Sequence, residues 1–103
     1  MLQITNYRVA FNVKAQKEID KFLDYYHIIS ADLYKDLLIE YDKTIERLSF
    51  NPNLYKIRKS KFRRVNLIKF PIMFIYVYSE KTKIVNIISA HHQNIKPSKI
   101  YKI

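Results

Sequence analysis

Glycine and cysteine are both absent from this 103-residue chain. Without glycine, every turn falls to Asn, Ser, Lys or Pro. Without cysteine, disulfides and thiolate metal sites are excluded, and the composition fits a reducing cytosol. No uncharged apolar run reaches the ~20 residues of a membrane span. The opening MLQITNYRVAF lacks the charged and apolar regions of a secretory signal, so a cytoplasmic protein without membrane attachment is expected. Acid is scarce in one half only. Residues 51–103 hold twelve Lys/Arg against one acid, Glu80, whereas residues 1–50 hold seven Lys/Arg and eight Asp/Glu. That asymmetry points to a polyanion or an acidic protein as partner. The abundance of Lys, Ile, Asn and Tyr reflects an AT-rich genome more than a function.

The length suits one domain, residues 1–103, with a single core. Over residues 3–11, Thr5, Tyr7, Val9 and Phe11 alternate with Asn6 and Arg8, which predicts a strand with one buried face. Asn12 is placed to cap a helix from about Val13 to Ile28, whose stripe is Ala15, Ile19, Phe22, Leu23 and Tyr26. Ser30 is placed to cap a second helix, with Asp32 favoured in its first turn. Leu33, Leu37, Leu38, Tyr41, Ile45 and Leu48 form its stripe, and Asn51-Pro52 ends it. So short a connection predicts an antiparallel helical hairpin. The acids Asp32, Asp36, Glu40, Asp42 and Glu46 read as its solvated face.

Residues 53–60 read as a loop or irregular strand. Lys61 to Ile68 predicts a basic strand, and Phe70 to Tyr78, nine residues without a charge, predicts the central one. Pro71 cannot donate to a ladder and is tolerable only near that strand's start. A polar connection, Ser79 to Thr82, leads to a last strand over Lys83 to His91, rich in β-branched residues. The tail, Gln93 to Ile103, is expected to dock as a short strand or helical turn. The fold class is therefore α+β, in the order β-α-α-β-β-β. A mainly antiparallel sheet should carry the N-terminal helical hairpin on one face.

Asn51-Pro52 after the second helix, then Arg63-Arg64, Phe70-Pro71, Phe74 and Tyr76, then His92 five residues before Pro97, stand in an order and spacing that covers nearly the whole chain. On these residues the chain resembles the RelE/ParE superfamily of toxins from type II toxin–antitoxin (plasmid stabilisation) modules. The family's basic residues between that His and Pro are here Asn94 and Ile95, its Asp before the proline is Lys96, and its later aromatic is replaced by Tyr101. The resemblance implies a growth-inhibiting toxin bound by an acidic antitoxin in a hetero-oligomer, without a cofactor. RelE-like members cut mRNA on the ribosome and ParE-like members poison DNA gyrase. The resemblance implies the first activity for this chain, with the second, or a decayed, non-toxic antitoxin-binding module, as alternatives.

Metal-free RNA cleavage needs proton transfer at the 2′-OH and the leaving oxygen, and cations on the phosphate. His92 suits either proton role, Arg63 and Arg64 suit the phosphate, and Tyr101 can assist from the tail with Lys99 and Lys102. A plainer reading makes His92 a strand-end histidine bonded to backbone, and the arginines a binding surface. Strand alternation sends Arg63 and Arg64 to opposite faces, and likewise His91 and His92. Lys56, Arg58, Lys59, Lys61, Lys69 and Lys99 are the expected nucleic-acid or antitoxin contacts. Tyr55 and Tyr101 are candidates for base stacking. His27, His91 and His92 do not make a metal site.

Overall fold

The computed structural model describes residues 6–94. The element order is β1 (Arg8–Phe11), α1 (Val13–Ile29), α2 (Ala31–Phe50), a 3-10 turn (Pro52–Leu54), β2 (Ile57–Lys59), β3 (Phe62–Asn66), β4 (Ile72–Ser79) and β5 (Ile84–His92). The strands form one sheet in the order β1-β5-β4-β3-β2. Three pairings are antiparallel, and β1 runs parallel to β5 with Arg8 opposite Ile84. No helix among the described residues is long and apolar enough to cross a membrane.

Both helices begin at their expected caps. Asn12 Oδ1 accepts the Ala15 N–H at 2.8 Å, and Ser30 Oγ accepts the Leu33 N–H at 3.2 Å. Each cap satisfies an N–H that the first turn leaves unpaired. Ser30 also ends α1 by donating its N–H to the Tyr26 carbonyl. One residue thus turns the chain between two helices.

The hairpin lies on one sheet face. Ala15, Ile19, Leu37 and Leu48 meet Val65, Leu67, Phe70, Ile72, Phe74, Tyr76, Val85, Ile87 and Ala90 in the main core. Phe11, Tyr41 and Phe74 tie β1, α2 and β4 together, with Phe11 and Tyr41 stacked at 5.9 Å and both edge-on to Phe74. The opposite face carries a smaller cluster of Met73 and Ile75 with Phe62 and Ile88. Residues 73 and 75 therefore face away from residues 72, 74 and 76, as the pleat requires.

Several boundaries differ from expectation. Among described residues the first strand is only Arg8–Phe11, because the Tyr7 N–H turns aside to the Ser49 carbonyl. The stretch 53–60 contains a true edge strand, β2, and a fifth member of the sheet. The central strand starts at Ile72, since Phe70 and Pro71 belong to the connection before it. Leu33 and Leu38 are exposed, whereas Glu40 is buried with Thr44 on the core side of α2. Glu40 is not part of a solvated face: its Oε2 accepts the Ile68 N–H at 2.8 Å and lies 3.6 Å from Arg47 Nη2. The tail from Ile95 lies outside the described residues.

The glycine-free turns use left-handed backbone at Ser60 (φ 53°) and Lys83 (φ 57°). The latter sits in the β4–β5 hairpin. There Lys83 Nζ is 3.1 Å from Glu80 Oε2, Tyr7 Oη donates to the same carboxylate, and the Lys83 ammonium lies 4.9 Å from the Tyr7 ring centre.

Candidate functional site

The sheet register separates the arginine pair. Arg63 pairs with Tyr76 on the helix side, and Arg64 pairs with Ile75 on the open side. Arg63 donates to the Tyr55 carbonyl and sits 5.2 Å from the Tyr78 ring centre. Its charge thereby anchors the chain after the 3-10 turn. Arg64 Nε donates to Asn66 Oδ1 at 3.0 Å along the same strand.

On the open face the register aligns Arg64, Ile75 and Ser89 across three strands, and Asn66, Met73 and His91 in the next row. Two polar atoms here, Ser89 Oγ and His91 Nε2, are buried without a hydrogen-bond partner among the described residues. His91 Nδ1 lies 3.9 Å from Glu18 Oε2. Burial holds the His91 imidazole below its ordinary pKa; Glu18 opposes this and Lys14 adds to it.

His92 pairs with Ile72 on the helix side. It is exposed, and its Nδ1 accepts the Asn94 N–H at 3.2 Å. Next to it, Gln93 donates its N–H to the Pro71 carbonyl at 2.9 Å and its side-chain amide to the Phe70 and Ile72 carbonyls at 3.2 Å each. Gln93 thus secures the connection that Pro71 leaves short of a donor.

Four of the six predicted cations line the sheet's β2 side. Lys56, Arg58, Lys59 and Lys61 are all exposed on or beside β2, while Lys69 is exposed at the other end of β3, in the connection to β4. Lys56, Arg58, Lys61 and Lys69 pair with no acid among the described residues. Lys99 and Tyr101 lie outside those residues. Among the rest of the predicted catalytic set, Arg63 and Arg64 occupy opposite faces, and His92 pairs with the far end of β4 from Tyr76, the partner of Arg63.

Tyr55 is engaged: its hydroxyl accepts from Arg47 Nε at 3.1 Å and it packs against the main core. Arg47 also donates to Thr44 Oγ1 at 3.1 Å. Glu40, Arg47, Tyr55 and Arg63 therefore form one polar chain from the β3–β4 connection to the sheet edge. Glu18 drew no role in the sequence and Glu40 read as solvated, because one acid on a helix facing the core carries no periodic signal.

With this geometry the chain can be set beside known proteins. No family model and no curated protein matches the sequence. Solved structures do match. The chromosomal ParDE system from P. aeruginosa aligns with TM-score 0.67 at 17% identity over 84% of this chain and 95% of that one. The chain has the fold of these toxin–antitoxin structures. The RelBE2 complex from Mycobacterium tuberculosis aligns with TM-score 0.58 at 16% identity, covering 87% and 94% of the two chains. The isolated E. coli RelE toxin gives 0.57 at 18%, covering 91% and 92%. The likeness is to the whole architecture, helical hairpin and sheet together, and it agrees with the RelE/ParE-like fold expected from the motifs.

Proposed function

We propose that this protein is the toxin of a type II toxin–antitoxin module, arresting bacterial growth until an acidic antitoxin covers it. The observation that carries this is the exposed cluster of Lys56, Arg58 and Lys61 on and beside β2, three cations that pair with no acid among the described residues, on a fold otherwise like that of ParDE and RelBE structures. Lys56, Arg58 and Lys61 offer an acidic partner a strand edge and charge together. The growth-arresting action is ribosome-dependent mRNA cleavage. His92 is the candidate for proton transfer and the exposed cations of the β2 side are the candidates for holding the message. Because His92 stands at the far end of the sheet, a message touching both must run across the sheet from β2 to the end of β5.

Poisoning of DNA gyrase is the second reading. The spending of Arg63 on Tyr55 and Tyr78 favours it, because that removes one cation from phosphate duty. Induction in a bacterium, followed by growth and by primer extension on a reporter message, tests both. Arrest with cut message supports cleavage, and arrest with intact message and impaired gyrase supercoiling supports the second reading. Unchanged growth on induction of folded protein sinks the toxin assignment.

A further inference from the structure

A recess of about 410 Å³ opens on the helix side of the sheet, away from the β2 cations. Its walls include Lys21, Tyr25 and Tyr26 of α1, Pro71 and Ile72 at the start of β4, and His92 at the end of β5. Its size lies within the ~300–1,000 Å³ typical of small-molecule sites.

Three features of the lining point to one ligand chemistry. The first is Tyr25, a ring 59% exposed yet braced from behind. It meets Tyr26 edge-on at 5.2 Å, and Tyr26 meets Phe70 edge-on at 5.1 Å, so a run of three rings reaches from the recess into the core. Such a ring is a stiff surface for another flat π system. The second is Lys21. It stands four residues before Tyr25, on the same side of α1, and forms no ion pair among the described residues. The third is His92. Because its Nδ1 accepts the Asn94 N–H, the neutral ring carries its proton on Nε2. The ring therefore offers a donor even without a charge. An aromatic wall, an ammonium and an imidazole N–H around one hollow suit a flat aromatic group bearing an anion.

We infer that this recess binds a single nucleotide unit, with its base against Tyr25 and its phosphate held by Lys21 and His92. The unit can be a free mononucleotide or one residue of a single-stranded RNA, since both present the same base and phosphate. The binding is an equilibrium property of the isolated chain and needs neither ribosome nor antitoxin. A failure here therefore leaves the toxin reading standing, and a failure of growth arrest leaves this site standing.

The test is an amide NMR titration of the whole chain with AMP, with UMP and with a six-residue oligo(A) RNA. The inference expects saturable shifts confined to residues 21–26, Ile72 and His92–Gln93. Tyr25→Ala and Lys21→Gln should each weaken binding by about tenfold, as expected for a lost stack or charge contact, while Tyr25→Phe retains it. Adenosine, which lacks the phosphate, should bind more weakly than AMP. Equal affinity for AMP and oligo(A) assigns a free nucleotide; saturation by oligo(A) alone assigns a strand. If none of the three probes shifts these amides, or if Tyr25→Ala and Lys21→Gln keep their fold and full affinity, the inference is overturned.

Discussion

Glu18 on α1 accepts the backbone N–H of Ala90 on β5 at 3.0 Å, across 72 residues of sequence. The contact exists because β1 is short. It covers β5 only from Ile84 to Ile87, leaving the rest of that strand's edge without a neighbouring strand among the described residues. An uncovered edge invites foreign strands, and a helix laid alongside is one way to close it. Glu18 supplies an acceptor on the part of that edge that β1 does not reach.

Replacing Glu18 by Ala should destabilise the fold by about 1–2 kcal/mol, the range for a buried N–H left without its partner. Glu18→Gln keeps an acceptor and should cost less. Chemical denaturation reads the difference, and hydrogen exchange at the Ala90 amide should quicken in the alanine variant. An unchanged Ala90 exchange rate would show that the contact contributes nothing.

His91 should make stability fall on mild acidification. Burial depresses its folded-state pKa, with Glu18 opposing and Lys14 reinforcing the shift. The unfolded chain, with an ordinary value of about 6.5, then binds the proton more readily than the folded one. The contribution is whole above about pH 6.5 and is lost as pH drops from there toward the lower folded value. Melting temperature measured across this window should slope for the native chain and flatten for His91→Gln.

Tyr76→Phe isolates one buried hydrogen bond. The Tyr76 hydroxyl, its pKa pushed up by burial, donates to the carbonyl of Pro52, itself buried after α2. Removing it leaves that carbonyl unpaired at a cost of about 1–3 kcal/mol. Urea denaturation midpoints should register it with the slope unchanged.

Ser60→Gly should be a gain. Its left-handed backbone at φ 53° carries a Cβ penalty that glycine lacks. After the entropy that glycine adds to the unfolded chain, a net stabilisation of about 0.5–1 kcal/mol is expected. The same change at Lys83 should gain less, because Lys83 also holds Glu80. A thermal melt lower than that of the native chain would contradict this account.

Charge reversal along β2, Lys56→Glu with Arg58→Glu, should weaken capture by the proposed acidic antitoxin, mainly through a slower on-rate. The native interaction should also weaken as salt is raised. Surface plasmon resonance at two ionic strengths checks both; identical on-rates for native and reversed chains would place the antitoxin elsewhere.

The helices were legible because their apolar residues keep a helical period and both caps are short polar side chains. Sheet order was less so. The parallel pairing of β1 with β5 leaves no local trace, since its partners are far apart in sequence. β2 was obscured by its three exposed residues, which show no alternation. Of the candidate site, strand alternation correctly foretold that Arg63 and Arg64 diverge. It could not tell that Arg63 would be drawn to Tyr55, because that contact depends on how the 3-10 turn brings the carbonyl back. Tyr25 was missed for a related reason: it lies just off the core stripe of α1, where a lone aromatic gives no periodic cue.

The parallel pairing of Arg8 with Ile84 also has a temporal side. A chain made from its N-terminus produces β1 and the whole helical hairpin well before β5 exists. Until then β1 has no strand to join, and the core side of α1 and α2 has only part of its sheet. Closing contacts this distant in sequence is slow relative to forming helices. The last strand among the described residues, β5, is therefore the one that gives β1 its partner, and a chain interrupted before Ile84 should be recognised by proteases as unfinished.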